Sequence, residues 1–555
     1  GEQMNFTEYK RIANALKMQP SNKYSTWDNI MQLCLNMYED NQDYLKYCLK
    51  LSKAVKLSAQ RLLLQNRDVR FEDLYWQAVK FEAPHLFDSY LLYLERKRLE
   101  QDRFYSPKRK QLNKHGLIQS LQDMEDDKLD ILSISMPPGT QKTTLEKFFC
   151  SWIIGRHPDD FSLFFSHSGD ITRMFYDGVM DITTNSDEYC WQEIFPDVKF
   201  HSTNAKRETI NFNKYKPFSN IQCTSVGSKN AGKVRANRYL YCDDLIGGIE
   251  EALNKNILDK LWRIYGTDAK QRKMDGCKEI HIATRWSVHD VIGRLIDIYE
   301  GNDKARFIAI PDIDPVTGES NFDYKYNGFS VEFFHDQELT MDEISYKCLY
   351  KNEPIEREGL LYTDEELRRF ITLPLGEPDA ILGICDTKNT GTDSMFLPCL
   401  LKYGNDYYLT ACVCDDNSNY GIQYERTSDL IVNTRMQQCQ FESNNGGDRV
   451  ALDVSKLVEE KGGVCNITTK YTESNKETKI IVNADWVKKH VLFKARTEYQ
   501  PKSDYGKMMG FLLSYSVRGK NPHDDVPDGL ASFALFVQNL IGATVTTYSR
   551  AALGI

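Results

Sequence analysis

An apolar run that stops abruptly at two prolines constrains this chain more than any other segment. Residues 129–135 (LDILSIS) are mostly aliphatic, and residues 137–139 (Pro-Pro-Gly) follow almost directly. Proline and glycine are poorly tolerated inside strands and helices, so the pattern predicts a buried strand that ends in a tight loop. Residues 142–144 (Lys-Thr-Thr) then open a stretch whose apolar residues recur at helical spacing.

Strand, tight loop, Lys-Thr and helix is the layout of a phosphate-binding loop. In such a loop, backbone amides and a helix N-terminus face the phosphates, the lysine reaches the β- and γ-oxygens, and the hydroxyl holds Mg²⁺. The usual pattern is G-x-x-x-x-G-K-[ST], whereas Met136 and Gln141 stand here in place of the two glycines. Taken alone, the segment fits either nucleotide binding or a plain strand–loop–helix turn.

The composition is that of a globular protein, with 41% hydrophobic and 27% charged residues. A length of 555 residues allows two or more domains with separate cores. The net charge of −9 excludes a global basic field, so any nucleic-acid binding requires a local basic surface. Fourteen scattered cysteines without a C-x-x-C pair predict reduced, buried thiols in an intracellular protein. We expect neither a signal peptide nor a membrane contact, because no membrane-length apolar run is visible.

Hydrophobic periodicity divides the chain into four regions. Residues 1–100 have apolar positions three and four apart, which predicts a helical region. In residues 101–310, short β-like runs alternate with helical stretches, which predicts an α/β domain with a largely parallel sheet and ligands at the carboxyl ends of its strands. The runs are LDILSIS, FSLFFSHS, IQCTSV, YLYCDD, EIHIAT and FIAIP. Residues 311–378 are polar and irregular, which predicts a connector, and residues 379–555 predict a second α/β domain.

In the second α/β domain, apolar runs that end at an acid or a turn also predict strands. A run ends at Asp386, and a hairpin is predicted to turn at residues 404–405 (Gly-Asn). After a helix, another run ends at Glu442, and a last helix covers about residues 527–540.

An acid pair, Asp243 and Asp244, ends the apolar run YLYCDD. The first carboxylate of such a pair can hold Mg²⁺ directly or through water, and the second can polarise an attacking water. An acid pair at a strand end can also simply face solvent. A separate predicted strand about a hundred residues after Lys142 favours the nucleotide site.

Two further segments extend this hypothesis. Thr284 and Arg285 follow the run EIHIAT, where a polar group can sense the γ-phosphate and an arginine can relay hydrolysis to a neighbouring element. A strand-capping threonine and a surface arginine would give the same pattern. The basic, glycine-containing loop at residues 227–235 fits a phosphate contact and a solvated loop equally well.

Carboxylates also gather in the second α/β domain. Asp386 and Glu442 each end a predicted strand, and Asp525 and Asp528 stand at i, i+3 where the last helix opens. Like charges repel in a low dielectric, so convergence of these acids requires cations. Two Mg²⁺ or Mn²⁺ about 4 Å apart are the natural occupants, and they would clamp the attacking water and the leaving oxygen of a phosphodiester. Each acid alone also fits a turn or a first helical turn, but their order favours a cluster.

In combination these motifs resemble the large terminase subunit of tailed bacteriophages, the DNA-packaging motor and nuclease. The resemblance runs from about Phe104 to the last helix. Its marks are PPGTQKTT at 137–144, YLYCDD followed by Gly247 and Gly248, IATRW followed by Asp290, Gly293 and Arg294, NEP at 352–354, GLLY at 359–362, D-x-x-x-x-G-x-D at 386–393, ESNNG at 442–446 and HDD-x-x-D at 523–528.

The resemblance implies a helical N-terminal region and a RecA-like P-loop ATPase domain, followed by a ribonuclease-H-like, RuvC-like nuclease domain. It assigns Asp244 to water activation. The residues that it assigns to ATP and its Mg²⁺ are Gly139, Thr140, Gln141, Lys142, Thr143, Asp243, Thr284 and Arg285, with Thr143 and Asp243 at the metal. The residues that it assigns to two nuclease metals, Mg²⁺ or Mn²⁺, are Asp386, Glu442 and either Asp525 or Asp528.

The same resemblance implies the partners. They are double-stranded DNA, the portal protein of a procapsid and a small terminase subunit. The chain is expected to form a homo-oligomeric ring on the portal, with a monomer as its state in solution. Its place is the cytoplasm of the infected bacterial host, and it is not retained in the mature virion.

Two departures from the family pattern leave other functions open. Gly139 replaces a frequent arginine, and Gln141 replaces the glycine before Lys142, where a side chain can crowd the loop. The alternatives are a helicase- or recombination-type DNA-dependent ATPase with a degenerate nuclease domain, and a non-enzymatic DNA-binding module on an inactive phosphate loop.

Overall fold

The structure is a computed structural model that describes residues 4–228, 234–252, 254–341, 343–354, 360–387, 395–415, 419–443, 446–473, 475–517, 521 and 523–542. The chain forms two compact units. The first unit comprises Gly1–Leu339 and Tyr346–Pro354, and the second unit comprises Thr340–Ser345 and Ile355–Ile555.

Five helices form the N-terminal region of the first unit, as the periodicity predicts. They are α1 (Phe6–Lys17), α2 (Tyr24–Asp40), α3 (Leu45–Asn66), α4 (Arg70–Glu82) and α5 (Phe87–Leu94). A capping box starts α1, because the Asn5 side chain accepts a hydrogen bond from the Glu8 amide and the Glu8 carboxylate accepts one from the Asn5 amide. The apolar faces of α1 to α4 share one core.

The rest of the first unit is built around an eight-stranded sheet, and all six predicted strands are present. The elements are α6 (Arg109–Lys114), α7 (Leu117–Glu125), β1 (Ile131–Ser135), α8 (Lys142–Arg156), β2 (Ser162–Ser166), α9 (Gly169–Thr184), α10 (Trp191–Ile194), β3 (Phe200–Asn204), β4 (Thr209–Phe212), β5 (Ile221–Ser225), β6 (Tyr239–Asp243), α11 (Ile249–Ala252), α12 (Lys255–Ile264), β7 (Lys278–Ile282), α13 (Val291–Tyr299) and β8 (Ala305–Ala309).

The strand order of this sheet is β3-β4-β5-β2-β6-β7-β1-β8. From β5 to β8 all neighbouring strands are parallel, so the carboxyl ends of β1, β6 and β7 meet at one edge. Strands β3 and β4 form an antiparallel hairpin that joins β5. Sequence reasoning missed this hairpin because its residues are largely polar and give no continuous apolar run.

The second unit holds a seven-stranded mixed sheet. In chain order, α14 (Val331–Thr340) and α15 (Glu343–Tyr346) follow β8, and β9 (Arg368–Phe370) is the first strand of this second sheet. The other elements are β10 (Ala380–Cys385), β11 (Met395–Tyr403), β12 (Asp406–Asp415), α16 (Tyr420–Asn433), β13 (Gln438–Glu442), α17 (Gly447–Glu460), β14 (Asn466–Lys470), α18 (Lys476–His490), β15 (Val491–Lys494), α19 (Asp504–Ser514) and α20 (Asp525–Gly542). The α/β class with N-terminal helices and two sheets is therefore confirmed.

The strand order of the second sheet is β14-β13-β10-β11-β12-β15-β9. Strands β11 and β12 form the predicted hairpin, with Tyr403 opposite Asp406. Strands β10 and β13 are parallel neighbours, which puts their carboxyl ends side by side. The short strand β9 pairs with β15, and it was not predicted because two of its three residues are arginines.

The cysteines are mostly buried, as the composition predicts. All fourteen cysteines lie in the described residues, and twelve of them are buried. Within the described ranges, no helix combines the length and the apolar character that a membrane span needs.

Helix α20 packs against β10, β11 and α18, and a glycine allows the closest approach. A Cβ at Gly529 would lie 2.5 Å from Cδ1 of the fully buried Phe396. Close packing at Gly529 holds the first turn of α20, which includes Asp528, against the sheet.

We expect Gly529→Ala to destabilise the second unit by about 1–3 kcal/mol, because the new methyl group overlaps a ring that has no room to move. Gly510→Ala in α19 is the matched control. Apart from its chain neighbours and the backbone of its own helix, no atom of the described residues lies within 4 Å of the position that its Cβ would take, so alanine should stabilise by roughly 0.5–1 kcal/mol. Urea unfolding midpoints measure both effects, and equal midpoints for the two variants would contradict the packing at Gly529.

Candidate active sites

The first site begins at the loop between β1 and α8. Gly139 has a φ of 77°, and Gln141, directly before α8, has a φ of 64°. Gln141 thus adopts the left-handed conformation that a glycine adopts without strain, and its side chain is exposed. The Thr140 hydroxyl donates to the Pro137 carbonyl at 2.7 Å, which closes the loop on itself. The result is a strand–loop–helix turn with the helix N-terminus at its mouth, as predicted.

Lys142 begins α8 and is buried, with 8% of its surface exposed. Its ammonium donates to the Met136 carbonyl at 3.3 Å and lies 3.5 Å from Thr284 Oγ1 at the end of β7. A buried ammonium at the mouth of a loop is suited to neutralise an anion there.

Thr143 and Asp243 connect the loop to β6. The Thr143 hydroxyl donates to Asp243 Oδ2 at 2.8 Å. The other oxygen of this buried carboxylate, Oδ1, has no hydrogen-bond partner among the described residues. Burial, and then the neighbouring charge of Asp244, raise the pKa of Asp243 to about 7. A hydroxyl beside an unsatisfied carboxylate oxygen is a donor set that suits Mg²⁺.

Asp244 is fixed at the edge of the sheet in a left-handed conformation, with a φ of 38°. Its Oδ1 accepts from the Thr284 amide at 3.0 Å, and its own amide donates to the Ile282 carbonyl at 2.9 Å. The His167 amide and the His167 ring both contact the Asp244 carbonyl. Asp244 and Thr284 were predicted at the ends of separate strands, and a hydrogen bond between the Asp244 carboxylate and the Thr284 amide joins them.

Arg285 is buried beside this edge. Its Nε lies 3.4 Å from Asp290 Oδ2, and the Asp290 carboxylate also accepts from the Gly293 amide at 2.7 Å, where α13 begins. The structure therefore connects Arg285 to the start of α13. The predicted basic loop at residues 227–235 lies partly outside the described residues, which omit 229–233.

Sequence reasoning missed Glu146, which lies one turn into α8. Its side chain is 1% exposed, and neither carboxylate oxygen has a partner in the described part of the chain. Burial raises the pKa of Glu146 well above its usual range, and the charges of Asp243 and Asp244 raise it further. Its signal in the sequence was a lone acid among Leu145, Phe148 and Phe149 on an apolar helix.

The second site lies at the carboxyl ends of β10 and β13. Asp386 follows β10 and is bonded through its backbone to Phe396, Glu442 ends β13, and Asp528 lies in the first turn of α20. One carboxylate oxygen from each of the three lies within 4.8 Å of the others. The predicted convergence of two strand ends and a helix start is therefore present.

Asp525, the alternative to Asp528, lies in the same helical turn and is also buried. Its Oδ1 is 3.6 Å from the Lys476 ammonium. Gly391 and Asp393, and also Asn444 and Asn445, lie outside the described residues.

Two lysines of α18 offset part of the negative charge of this acid cluster, and sequence reasoning missed both. The Lys479 ammonium, only 4% exposed, lies 2.8 Å from Glu442 Oε1 and 2.7 Å from Asp528 Oδ1. The Lys476 ammonium lies 2.8 Å from Asp524 Oδ1 and 3.8 Å from Asp528 Oδ2. Their signal was the pair KETK, one helical turn apart, but an exposed helix face gives the same pattern.

The charges of this cluster are strongly coupled. Burial raises the pKa of Asp386 well above its usual range, and the charges of Asp528 and Glu442 add to this. Burial also raises the pKa of Asp528 to about 6, although Lys479 and Lys476 oppose the shift. Burial works in the same direction on Glu442, but the Lys479 charge and its hydrogen bond outweigh it and lower the pKa of that carboxyl.

The three carboxylates fit a hard divalent cation. Asp386 Oδ2 is buried and has no hydrogen-bond partner within the described residues, which is the state of an oxygen that lacks its ligand partner. Carboxylate oxygens are the preferred donors for Mg²⁺ and Mn²⁺.

No protein-family model matches the sequence, and no curated protein matches it. Solved structures do match. The large terminase of a thermophilic bacteriophage, in complex with ADP, aligns over 78% of this chain and 99% of its own, with 11% identity and a TM-score of 0.36.

The structure is similar to those of bacteriophage large terminases. The large terminase of bacteriophage HK97 aligns over 71% of this chain and 86% of its own, with 9% identity and a TM-score of 0.29. The terminase nuclease domain of human cytomegalovirus, Mn-soaked and inhibitor-bound, aligns over 34% of this chain and all of its own, with 10% identity and a TM-score of 0.27. At such scores, residue roles rest on the geometry described above.

The raised pKa of Asp243 predicts a pH dependence of stability. The native carboxyl keeps a proton that the unfolded chain, with a pKa near 3.8, has already released, so stability without metal falls as the pH rises from about 4 to about 7. Asp243→Asn removes this loss while keeping an oxygen for Thr143. In EDTA, we expect the variant to melt roughly 2–4 °C above wild type at pH 8 and to match it near pH 4.

Asp275→Asn, at an exposed turn before β7, is the matched control and should melt with wild type at every pH. A constant difference between Asp243→Asn and wild type across the pH range would contradict the raised pKa.

Proposed function

We propose that this chain is the ATP-hydrolysing and DNA-cutting subunit of a viral genome-packaging motor. It would couple ATP hydrolysis to the movement of double-stranded DNA into a procapsid and cut the DNA concatemer by phosphodiester hydrolysis. The observation that carries the proposal is that each unit has its own acid-bearing site at the carboxyl edge of a parallel strand set. One site is joined to a phosphate-type loop, and the other is not.

In the first unit, the backbone of Gly139, Thr140 and Gln141 and the N-terminus of α8 would hold the phosphates, with the Lys142 ammonium against their charge. Thr143 and Asp243 would hold Mg²⁺, which when bound neutralises charge on the phosphate oxygens. Asp244, held by the Thr284 amide, would orient and polarise the attacking water.

Coupling in the first unit is assigned to the segment after β7. Thr284 contacts both Lys142 and Asp244, so a change at the γ-phosphate alters its partners directly. Arg285 and Asp290 connect Thr284 to the start of α13. This chain of contacts supports a role of Thr284 and Arg285 in transmitting hydrolysis to the rest of the unit.

In the second unit, Asp386, Glu442 and Asp528 would hold Mg²⁺ or Mn²⁺, with Asp525 as the second candidate on α20. The metals, when bound, supply an activated water and stabilise the leaving oxygen. Lys479 holds Glu442 and Asp528 in place, and it occupies the space between them. Any cation bound at that point must share these oxygens with the lysine or displace it.

The proposal includes the assembly that the sequence motifs imply. The chain would act as a homo-oligomeric ring on a portal protein, with a small terminase subunit, in the cytoplasm of the host. The proposal also includes four regions: a helical region at residues 1–100, an ATPase domain at 101–310, a connector at 311–378 and a nuclease domain at 379–555. A DNA-dependent ATPase with a degenerate nuclease domain is the second candidate, but the closeness of the three carboxylates favours a working nuclease.

Two substitutions should separate the activities. Lys142→Ala should lower ATP hydrolysis by about 100-fold or more and leave Mn²⁺-dependent plasmid cleavage unchanged, because it removes the charge proposed to hold the ATP phosphates and touches nothing in the second acid cluster. Asp386→Asn should do the reverse. Steady-state ATP hydrolysis and plasmid nicking by the full chain measure both.

The matched controls lie at the opposite ends of the same strands. Lys128 precedes β1 and Asp379 precedes β10. Lys128→Ala and Asp379→Asn should each retain ATP hydrolysis and plasmid cleavage. Loss of neither activity in Lys142→Ala and Asp386→Asn would refute the site assignments. DNA binding by wild type without ATP turnover would favour the non-enzymatic alternative, and full cutting by Asp386→Asn would favour the ATPase with a degenerate nuclease domain.

A further inference from the structure

The β3–β4 hairpin is a basic segment in an acidic chain. Residues 199–216, which we call the basic hairpin, contain five lysines or arginines and a single glutamate, whereas the whole chain has a net charge of −9. The basic residues are Lys199, Lys206, Arg207, Lys214 and Lys216. The basic hairpin therefore provides the local basic surface that nucleic-acid binding by this chain would require.

The basic hairpin is an edge of the first sheet and is open to solvent. Strand β3 is the outermost strand, and most of its residues are exposed. Two aromatic side chains lie among the charges: Phe200 is 43% exposed and Tyr215 is 74% exposed. The basic hairpin thus presents its charges and these two rings on an exposed edge of the sheet.

Three of the five cations are available for a ligand. Lys199, Lys206 and Arg207 are exposed and form no ion pair within the described residues. In contrast, Lys214 lies 3.5 Å from Asp159 Oδ1, and the buried Lys216 ammonium donates to Asn220 Oδ1 at 2.6 Å. Uncompensated charge on an exposed edge attracts a polyanion without the desolvation cost of a buried group.

The turn that carries Lys206 and Arg207 is held in place. Asn204 Oδ1 accepts from both of their amides at 3.1 Å. From α9, the Arg173 guanidinium donates to the Ala205 carbonyl at 2.8 Å, and the Tyr176 and Thr203 hydroxyls are hydrogen-bonded. The two charges are thus presented from a fixed position, so binding orders little of the backbone.

A polar groove of about 600 Å³ borders the basic hairpin. Arg207 and Tyr215 line it together with hydroxyl and amide side chains, and its described lining contains no carboxylate. The groove thus offers hydrogen-bonding groups beside the exposed charges and no negative charge to repel a phosphate.

We propose that the basic hairpin and this groove contact the phosphodiester backbone of double-stranded DNA. The inference rests on the proposed function and deepens it, because it names the surface of the first unit that holds the DNA. Duplex DNA carries one negative charge per ~1.7 Å of its axis, so exposed cations attract it independently of its sequence. Contacts of this kind suit a protein that moves along DNA of any sequence.

The test compares two Lys-Arg pairs in the full chain. Lys206→Gln/Arg207→Gln removes two charges from the basic hairpin, and Lys10→Gln/Arg11→Gln removes the same exposed pair from α1. Fluorescence anisotropy with two duplexes of unrelated sequence gives the binding constant over a series of KCl concentrations. ATP hydrolysis without DNA and thermal melting report whether either variant is damaged.

We expect Lys206→Gln/Arg207→Gln to weaken binding by about ten-fold or more at low salt, equally for both duplexes. The slope of log K against log [KCl] should fall by about 2, while basal ATP hydrolysis and melting stay unchanged. Lys10→Gln/Arg11→Gln should bind as wild type. An unchanged slope shows that these two charges do not contact phosphates, and this overturns the inference alone.

Two further outcomes also decide the matter. Equal weakening by both variants shows an effect of net charge and overturns the inference. A wild-type chain that binds neither duplex overturns both the inference and the proposed function. The two failures are therefore distinguishable.

Discussion

Repulsion between buried carboxylates is the constraint on which both sites depend. Asp243 and Asp244 end one strand set, and Asp386 and Glu442 end another, in places where burial already disfavours a negative charge. Hydrogen bonds and an ion pair offset the repulsion within each group of carboxylates. The Thr143 hydroxyl bonds Asp243, the Thr284 amide bonds Asp244, and the Lys479 ammonium bridges Glu442 and Asp528.

The parallel strands explain why these acids meet at all. Strands β6 and β7 run side by side, as do β10 and β13, so residues far apart in sequence end at the same edge. Two of the carboxylate oxygens, Asp243 Oδ1 and Asp386 Oδ2, are buried and have no hydrogen-bond partner among the residues described. A divalent cation would complete their coordination, which is why we propose a metal at each site.

Much of this arrangement could be predicted from sequence because strand ends are visible as apolar runs that stop at an acid. The runs ending at Asp243, Asp386 and Glu442 gave the strands, and the order of the acids gave their convergence. The basic hairpin and β9 were missed because edge strands carry polar and charged residues and lose the apolar signal. Pairing with an inner strand, which sequence does not display, stabilises them.

Side chains that act through tertiary contacts were also beyond sequence reasoning. Lys476 and Lys479 lie on a helix whose charged residues could equally face solvent, and only packing of α18 on α20 brings them to the acids. The burial of Glu146 was also missed, because a lone acid on an apolar helix is expected to be exposed. Gln141 was recognised as a departure, and its left-handed backbone shows how the loop turns without a glycine there.

The central claim is that each unit has a separate cation site made of its own strand-end acids. The most direct measurement is anomalous diffraction from crystals soaked with Mn²⁺ and a non-hydrolysable ATP analogue. The account predicts one peak beside Thr143 and Asp243 with the analogue on the loop, and at least one peak among Asp386, Glu442 and Asp528. Crystals that show the bound analogue but no manganese among those three carboxylates would contradict it.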